Sequence, residues 1–364
     1  MLGERLKLAR KKSGLSLRGL ADRLQGQISA QAIGKYERDE MQPSSTVLMA
    51  LCQALEVSPS YFLEAPELSF ANVDFRKKAR TTLKERSQVE AILIEKVVPY
   101  LQLEKILNLG TLWELPEGFP LPVASVQAAE KLAEQLRERW QLGQEPIANL
   151  TELLEEKGLK ILLLDLPANV HGLTCDVRLT HSDQSVPVIL INQKDNLERR
   201  RLTLAHELAH RLMSTQALSE KEEERAAQRI AGALLMPAAH LRHEMGPKRR
   251  FINPQEILML KKIYRVSAAA LLVRLRDLEI IEESTLSSLF QTKARTWRGR
   301  EPEPLEPEEQ TSEPGIRSGL QEMPLRFVRL CYHALAEDLI SVTRAAEWLG
   351  VSLLELKQAL RGQA

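Results

Sequence analysis

Apolar residues recur every three or four positions along most of this chain, which is the spacing of one buried face of an α-helix. Within residues 1–64 the pattern falls into five short pieces, and the second and third follow Ser16 and Ser29, residue types that cap helices well. We therefore predict five helices in this segment, the third covering residues 30–37.

Two compact apolar runs interrupt the helical pattern, and Gly, Pro or Asp residues bound both of them. Their length predicts strands at 159–164 and 186–192, and we expect residues 172–179 to pair between them. The resulting three-stranded sheet would have an edge that can hold an extended peptide through backbone hydrogen bonds.

The chain has 364 residues, enough for two or three domains. Stretches rich in Pro predict linkers that end near Pro122 and that cover 299–323, the second being strongly acidic. The segments that we predict are a helical domain at 1–64, a helical connector and linker at 65–122, a helix-and-strand domain at 123–247, a helical pair at 248–298, the acidic linker at 299–323 and a helical module at 324–364.

The connector carries a long helical pattern with apolar residues at Val89, Leu93, Val97 and Leu101. Such a face suits packing against helices of the same chain or a seam between two copies. Because no heptad repeat is sustained, we predict packing within the chain and keep a homodimer as the alternative.

The overall charge does not indicate a class of partner, because the chain has 50 basic and 49 acidic residues. A nucleic-acid partner has to be sought in local charge, and basic residues outnumber acidic ones in residues 1–64. The three cysteines lie too far apart in sequence to form a metal or redox pair. No signal peptide and no run of 18 apolar residues is found, so we expect a cytoplasmic protein that does not insert into a membrane.

The strongest chemical signal is the pattern His206-Glu207-x-x-His210 within an apolar helical stretch. Residues four apart share one face of a helix, so both imidazoles can bind one metal ion. Glu207 would lie beside that ion and could take a proton from the attacking water. Zn2+ suits this donor set best, with Mn2+ as the alternative ion.

A third ligand would leave the fourth position of a tetrahedral zinc ion open for chemistry. The next helical pattern starts with four candidate acids, Glu220, Glu222, Glu223 and Glu224. Acids in a first helical turn are also favoured by the helix dipole alone, so their presence does not by itself decide which of them binds.

The segments 200–210 and 224–237 together resemble the ImmA/IrrE family of zinc metallo-endopeptidases, which have a gluzincin-like site. In that family the third ligand is a Glu three residues before an Ala-Asn pair, in a helix that ends Leu-Leu-Met-Pro. Alignment on the Leu-Leu-Met-Pro of residues 234–237 implies Glu224 as the third ligand, although Gln228 and Ile230 depart from the usual Asn and Phe. The resemblance also implies that the helical pair at 248–298 packs on the peptidase.

Other polar residues near this motif have plainer interpretations. His171 lies on a predicted loop from which it could approach the metal or an oxyanion, but we expect it to be an ordinary turn residue. We expect His240 and His243 to lie on the surface. The run Arg199 to Arg201 either pairs with acids or with substrate, or is simply solvated.

Residues 1–64 resemble the Cro/repressor (Xre) type of helix-turn-helix domain, through the segments 17–21, 33–37 and 43–51. A helix-turn-helix places its second helix in the major groove of DNA. On that alignment Ser29, Gln31, Ala32 and Lys35 would face the groove, with Arg18 on a phosphate. The alternative is that these helices bind a protein rather than DNA.

These patterns predict a mainly α fold with a small α+β part: a five-helix helix-turn-helix domain, a zincin-like peptidase domain with about three strands, and C-terminal helical modules. The predicted function is a DNA-binding regulator with zinc endopeptidase activity. The resemblance implies an Xre-type repressor as its substrate, cut under stress or on induction of a mobile element. The alternatives are a transcription factor whose zinc domain is a sensor or structural element, and an antitoxin-like or phage-immunity protein that acts by binding.

Overall fold

The structure is a computed structural model that describes residues 2–63, 70–75, 83–109, 113–167, 169–179, 185–215, 218–297, 299–305 and 322–361. The helices are α1 (Leu2–Lys12), α2 (Leu17–Arg23), α3 (Ala30–Glu37), α4 (Ser45–Leu55), α5 (Pro59–Leu63), α6 (Leu83–Ile106), α7 (Ala129–Arg139), α8 (Leu150–Glu156), α9 (Leu197–Leu212), α10 (Glu220–Leu235), α11 (Ala238–Met245), α12 (Pro254–Tyr264), α13 (Ala268–Asp277), α14 (Glu283–Gln291), α15 (Arg326–Ala336), α16 (Val342–Leu349) and α17 (Leu353–Leu360). The strands are β1 (Phe70–Phe75), β2 (Leu121–Pro122), β3 (Lys160–Leu164), β4 (Gly172–Leu179), β5 (Ser185–Asn192) and β6 (Met213–Ser214).

The chain divides into two compact units. The first comprises residues 1–110, 176–186 and 327–360, and the second comprises 111–175, 187–326 and 361–364. Most of the predicted acidic linker, residues 306–321, lies outside the described residues, as do residues 65–69, 76–82 and 110–112 of the predicted connector. Within the part of the chain that the structure describes, no helix combines the length and the apolar character needed to cross a membrane.

The five predicted N-terminal helices are confirmed as α1 to α5 of the first unit. Ser16 and Ser29 cap α2 and α3, their hydroxyls accepting hydrogen bonds from the backbone of Gly19 and Ala32. Arg10 of α1 forms a two-bond ion pair with Glu37 at the end of α3, with N–O distances of 2.5 and 2.8 Å. Together, the caps and the ion pair determine where α3 begins and how α3 packs against α1.

The connector helix α6 also packs within the first unit, as its pattern predicts. Tyr100 and Leu103 of α6 share a core with Leu330, Cys331 and Ala334 of the C-terminal module. The predicted C-terminal helices are therefore present as α15 to α17, and this part of the α6 face is covered by the chain itself.

The larger sheet runs in the order β1-β4-β5-β3, with β3 and β5 parallel. The three predicted strands are present, but the predicted order was wrong, because β5 and not β4 lies beside β3. Every residue of β5 after Ser185 is buried. A strand that is apolar on both faces is stable only in the interior of a sheet, which explains its central place. The strand β1 was not predicted.

One hydrophobic core holds the second unit together and positions the metal motif. It contains Leu204 and Leu208 of α9, Ile230 of α10, Ile257 of α12 and Leu271 of α13. The helical pair α12 and α13 thus belongs to the same core as the helix of the His-Glu-x-x-His pattern. These helices form a single packed body rather than a separate module.

Candidate metal centre

The two histidines lie on the face of α9 that is opposite to its apolar face, and the apolar face packs in the core. Asn196 caps the helix by accepting the backbone N–H of Arg199 at 3.0 Å. Leu204, Leu208 and Leu212 are buried, whereas His206 and His210 are only partly buried. The apolar period therefore leaves both imidazoles outside the core of the second unit, at partly buried positions.

The helix α10 brings acids to this surface. Ser219 and Glu222 form a capping box, in which the Ser219 backbone N–H donates to the Glu222 carboxylate at 3.0 Å. The second half of α10 is buried against α9 and α7 from Ala226 onwards. Cap and core fix the rotation of α10, and this places Glu224 opposite the two histidines.

Three side chains converge in a geometry that fits a zinc ion. His206 Nε2 lies 3.1 Å from His210 Nε2. One Glu224 oxygen lies 3.3 Å from His206 Nε2, and the other lies 3.4 Å from His210 Nε2. Ligands at 2.0–2.1 Å from a tetrahedral zinc ion lie roughly 3.3 Å apart, so each of these separations is close to that between two zinc ligands, with either Glu224 oxygen available as the third. Two imidazoles and one carboxylate are also the donor set of known catalytic zinc sites.

The other acids of α10 occupy different positions. Glu223 Oε1 lies 3.4 Å from His210 Nδ1, on the side of the ring away from Glu224. Glu222 is engaged in the capping box, and Glu220 is exposed. Of the four candidate acids, Glu224 is the one that the structure groups with both histidines as a metal-binding set.

Glu207 lies outside that set and is held separately. Its carboxylate accepts the backbone N–H of Thr174 on β4. Burial raises the pKa of Glu207, against the opposing effects of His206, Arg211 and the Thr174 hydrogen bond. A half-buried carboxyl group that accepts a backbone hydrogen bond is suited to exchange protons beside the ligand set.

Arg211 and Gly172 bring β4 close to α9. No sequence pattern marks either residue. Arg211 Nε donates to Thr174 Oγ1 at 2.6 Å, and its terminal nitrogen donates to the Cys175 carbonyl at 2.5 Å. A β-carbon on Gly172 would overlap Thr203 Cγ2 of α9 and would approach the Leu190 carbonyl oxygen to 3.1 Å. The close approach of strand and helix therefore requires glycine at position 172.

We expect the substitution Gly172→Ala to lower the free energy of unfolding by about 1–3 kcal/mol, since the added methyl group has no room. Adding Thr203→Ser removes the Cγ2 atom with which it collides, so the double variant should recover much of the loss. Urea unfolding of the four members of this cycle measures the coupling. Purely additive effects of the two substitutions would show that this contact does not set the distance between β4 and α9.

The remaining polar residues near the motif are engaged elsewhere. His171 is a hydrogen-bonded residue whose Nδ1 lies 2.9 Å from Asp195 and whose Nε2 lies 2.6 Å from Arg199. Arg201 is fully buried and paired with Glu322, so the solvated alternative is wrong for this member of the arginine run. His240 is half-buried and bonded to the Tyr264 hydroxyl at 2.6 Å, which corrects its prediction as a surface group, whereas His243 is exposed.

In the first unit, the candidate DNA-facing residues lie on and around α3. Arg18, Ser29, Gln31 and Lys35 are exposed, and Ala32 is half-buried. The residues that complete the hydrophobic side of α3 are Ile33 and Tyr36, both in the core. Accordingly, α3 has one buried face and one polar face open to a partner.

Comparison with known proteins supports both parts of the chain. Residues 154–276 match the family model described as the IrrE N-terminal-like domain of the M78 peptidases, and residues 6–62 match the helix-turn-helix family model. The chain is similar to the repressor protein C2 of Salmonella phage P22, with 37% identity over 78 residues, which is 21% of this chain and 35% of the repressor. The match thus spans about a third of the length of that relative. Family models therefore match an N-terminal helix-turn-helix segment and a central segment similar to the IrrE N-terminal-like domain of the M78 peptidases.

Proposed function

We propose that the protein is a DNA-binding transcriptional regulator with zinc-dependent endopeptidase activity, and that it cleaves an Xre-type repressor in a stress or mobile-element response. The observation that carries the proposal is the grouping of His206, His210 and Glu224, with Glu207 held beside them by the backbone of β4. A purely structural zinc site uses four protein ligands, whereas the described residues group three, and the fourth side chain, Glu207, lies outside that set.

The chain's own residues supply the proton transfers and the binding surface. His206, His210 and Glu224 would hold zinc, which when bound polarises the scissile carbonyl and makes the attacking water more acidic. Glu207 would take the proton from that water and later deliver it to the leaving amine. The Thr174 backbone N–H of β4, a residue whose side chain Arg211 also hydrogen-bonds, would orient the Glu207 carboxylate for these transfers.

The decisive experiment is cleavage of a defined substrate. Zinc-loaded full-length protein is mixed with each purified Xre-type repressor of its own genome, and fragments are identified by mass spectrometry. We expect one repressor to be cut, with cleavage stopped by a chelator and restored by Zn2+ but not by Mg2+. A protein that binds zinc and DNA but cuts none of these repressors would instead be a regulator whose zinc site is sensory or structural.

The helix-turn-helix domain and its likeness to a phage repressor support DNA binding through α3. We expect Lys35→Ala to weaken binding to all duplexes and to reduce the slope of log affinity against log salt by about 1, as loss of one phosphate contact does. Gln31→Ala should instead cost about 1–3 kcal/mol on the preferred sequence alone, as loss of a base contact does. Fluorescence anisotropy at several salt concentrations distinguishes the loss of a phosphate contact from the loss of a base contact. The preferred duplexes are first selected from a random library with the wild-type protein. Equal salt slopes for Lys35→Ala and wild type would show that Lys35 does not contact a DNA phosphate.

The fusion of the two domains has a functional consequence of its own. A repressor bound to the same DNA as α3 would be present at a raised effective concentration, because both proteins are confined to one molecule. Cleavage of the purified repressor should therefore be faster on DNA that carries binding sites for both proteins than on DNA that carries a site for only one of them.

A further inference from the structure

The two ring nitrogens of His210 face different carboxylates. Nε2 faces the candidate metal position, 3.1 Å from His206 Nε2 and 3.4 Å from Glu224. Nδ1 lies 3.4 Å from Glu223 Oε1, on the other side of the ring. An ionised carboxylate can only accept a hydrogen bond, so this contact favours the tautomer with its proton on Nδ1. In that tautomer Nε2 carries the free lone pair that a metal ion needs.

We propose that Glu223 is a positioning residue for the metal centre, which fixes the tautomer and the ring orientation of His210 so that Nε2 is presented to zinc. The inference rests on the proposed zinc site and assigns a role to an acid that binds no metal itself. A carboxylate behind a metal-binding imidazole also makes that imidazole a stronger ligand.

The neighbouring acids cannot exchange roles with Glu223, because the rotation of α10 is fixed at both ends. At its start, Glu222 is held in the capping box with Ser219. From Ala226 onwards most of the helix is buried in the core, the exceptions being Gln228 and Arg229. Glu220, the first of the four acids at the start of α10, is exposed. Successive residues of a helix point about 100° apart. Glu223 and Glu224 therefore reach His210 from two directions and approach different nitrogens.

The surroundings of this contact make it stronger than an ordinary surface pair. The His210 side chain is 12% exposed and that of Glu223 is 25% exposed. Water screens such a half-buried contact less than it would a fully exposed one, so the carboxylate can hold the ring in one orientation. Without the Glu223 carboxylate, the proton of a neutral His210 could move to Nε2, and zinc would then have to displace that proton on binding.

The test measures zinc affinity rather than hydrolysis. The full-length wild type and the variants Glu223→Ala, Glu223→Gln, Glu224→Gln and Glu220→Gln compete with a chromophoric chelator for Zn2+ at neutral pH. We expect Glu223→Ala to bind zinc about 10- to 100-fold more weakly than wild type. Glu223→Gln should lose less, because its amide oxygen still accepts the Nδ1 proton, and Glu220→Gln should match wild type. In NMR spectra of the zinc-bound protein, the Nδ1 proton of His210 should be visible in wild type and broadened by exchange in Glu223→Ala.

Two results would overturn the proposal. If Glu223→Ala keeps the zinc affinity of Glu220→Gln and a visible Nδ1 proton, Glu223 does not position the ring. If Glu223→Gln loses as much affinity as Glu224→Gln, Glu223 binds the metal directly instead. Since no substrate is involved, a protein that binds zinc as expected but cuts nothing would refute the proposed peptidase activity and leave the role of Glu223 intact.

Discussion

The substitution Glu207→Gln is expected to lower the rate of repressor cleavage by about 10²- to 10⁴-fold, the usual contribution of a positioned general base. The amide has nearly the shape of the carboxylate and its oxygen can still accept the Thr174 N–H, but it cannot take a proton from water. His206, His210 and Glu224 are unchanged, so zinc affinity should stay at the wild-type value. Cleavage rates under single-turnover conditions and zinc competition measure the two quantities separately.

The stability of this variant provides an internal control. Burial raises the pKa of Glu207, which means that the folded state disfavours the charged carboxylate at this position. A neutral amide avoids that penalty, so metal-free Glu207→Gln should unfold at the same urea concentration as wild type or at a higher one. Glu220→Gln is the matched change of charge on the exposed start of α10 and should cleave at the wild-type rate. Retention of full cleavage by Glu207→Gln would show that Glu207 is not the base.

Much of the site was predictable because it is encoded locally. His206 and His210 are four residues apart, and helical periodicity alone places them on one face. Ser16 and Ser29 mark helix starts for the same kind of local reason, since a side chain caps its own helix. Glu224 was implied by alignment, whereas the residues alone left four acids open. The capping box and the buried half of α10 supply the rotation that separates Glu224 from Glu223.

The features that escaped prediction all depend on residues distant in sequence. Thr174 and Arg211 are 37 positions apart, and no local pattern indicates that they meet. The central place of β5 follows from which strands cover it, and an apolar run alone does not reveal its neighbours. Arg201 looked like one of three equivalent arginines, yet it is buried against Glu322, which is 121 positions away.

A buried charge cluster at the start of α9 illustrates the same limit. The Lys261 ammonium lies 2.8 Å from the carboxylates of both Glu198 and Glu301. It also donates to the carbonyl oxygens of Pro302 and Glu303, each at 2.8 Å. The cluster therefore ties the first turn of the metal-binding helix to α12 and to the described start of the predicted acidic linker.

We expect Lys261→Met to lower the free energy of unfolding of the second unit by about 3–5 kcal/mol at neutral pH, because it leaves two carboxylates buried without their cation. The neighbouring Lys262 is the matched control: its side chain is 55% exposed and pairs with an exposed Glu303, so Lys262→Met should cost about 0–1 kcal/mol. Urea unfolding followed by tryptophan fluorescence reports mainly on this unit, which contains Trp113, Trp140 and Trp297 but not Trp348.

The pH dependence of the Lys261→Met variant tests the cause of its instability. Burial already raises the pKa of Glu301, and loss of the lysine removes an interaction that lowers it. A carboxyl group whose pKa is higher in the folded state binds protons on folding, so stability rises as the pH falls towards that pKa. The deficit of Lys261→Met relative to wild type should therefore shrink between pH 7 and pH 5, and Glu301→Gln added to Lys261→Met should recover part of it at pH 7. A deficit that is independent of pH and insensitive to Glu301→Gln would assign the loss to packing rather than to unpaired charge.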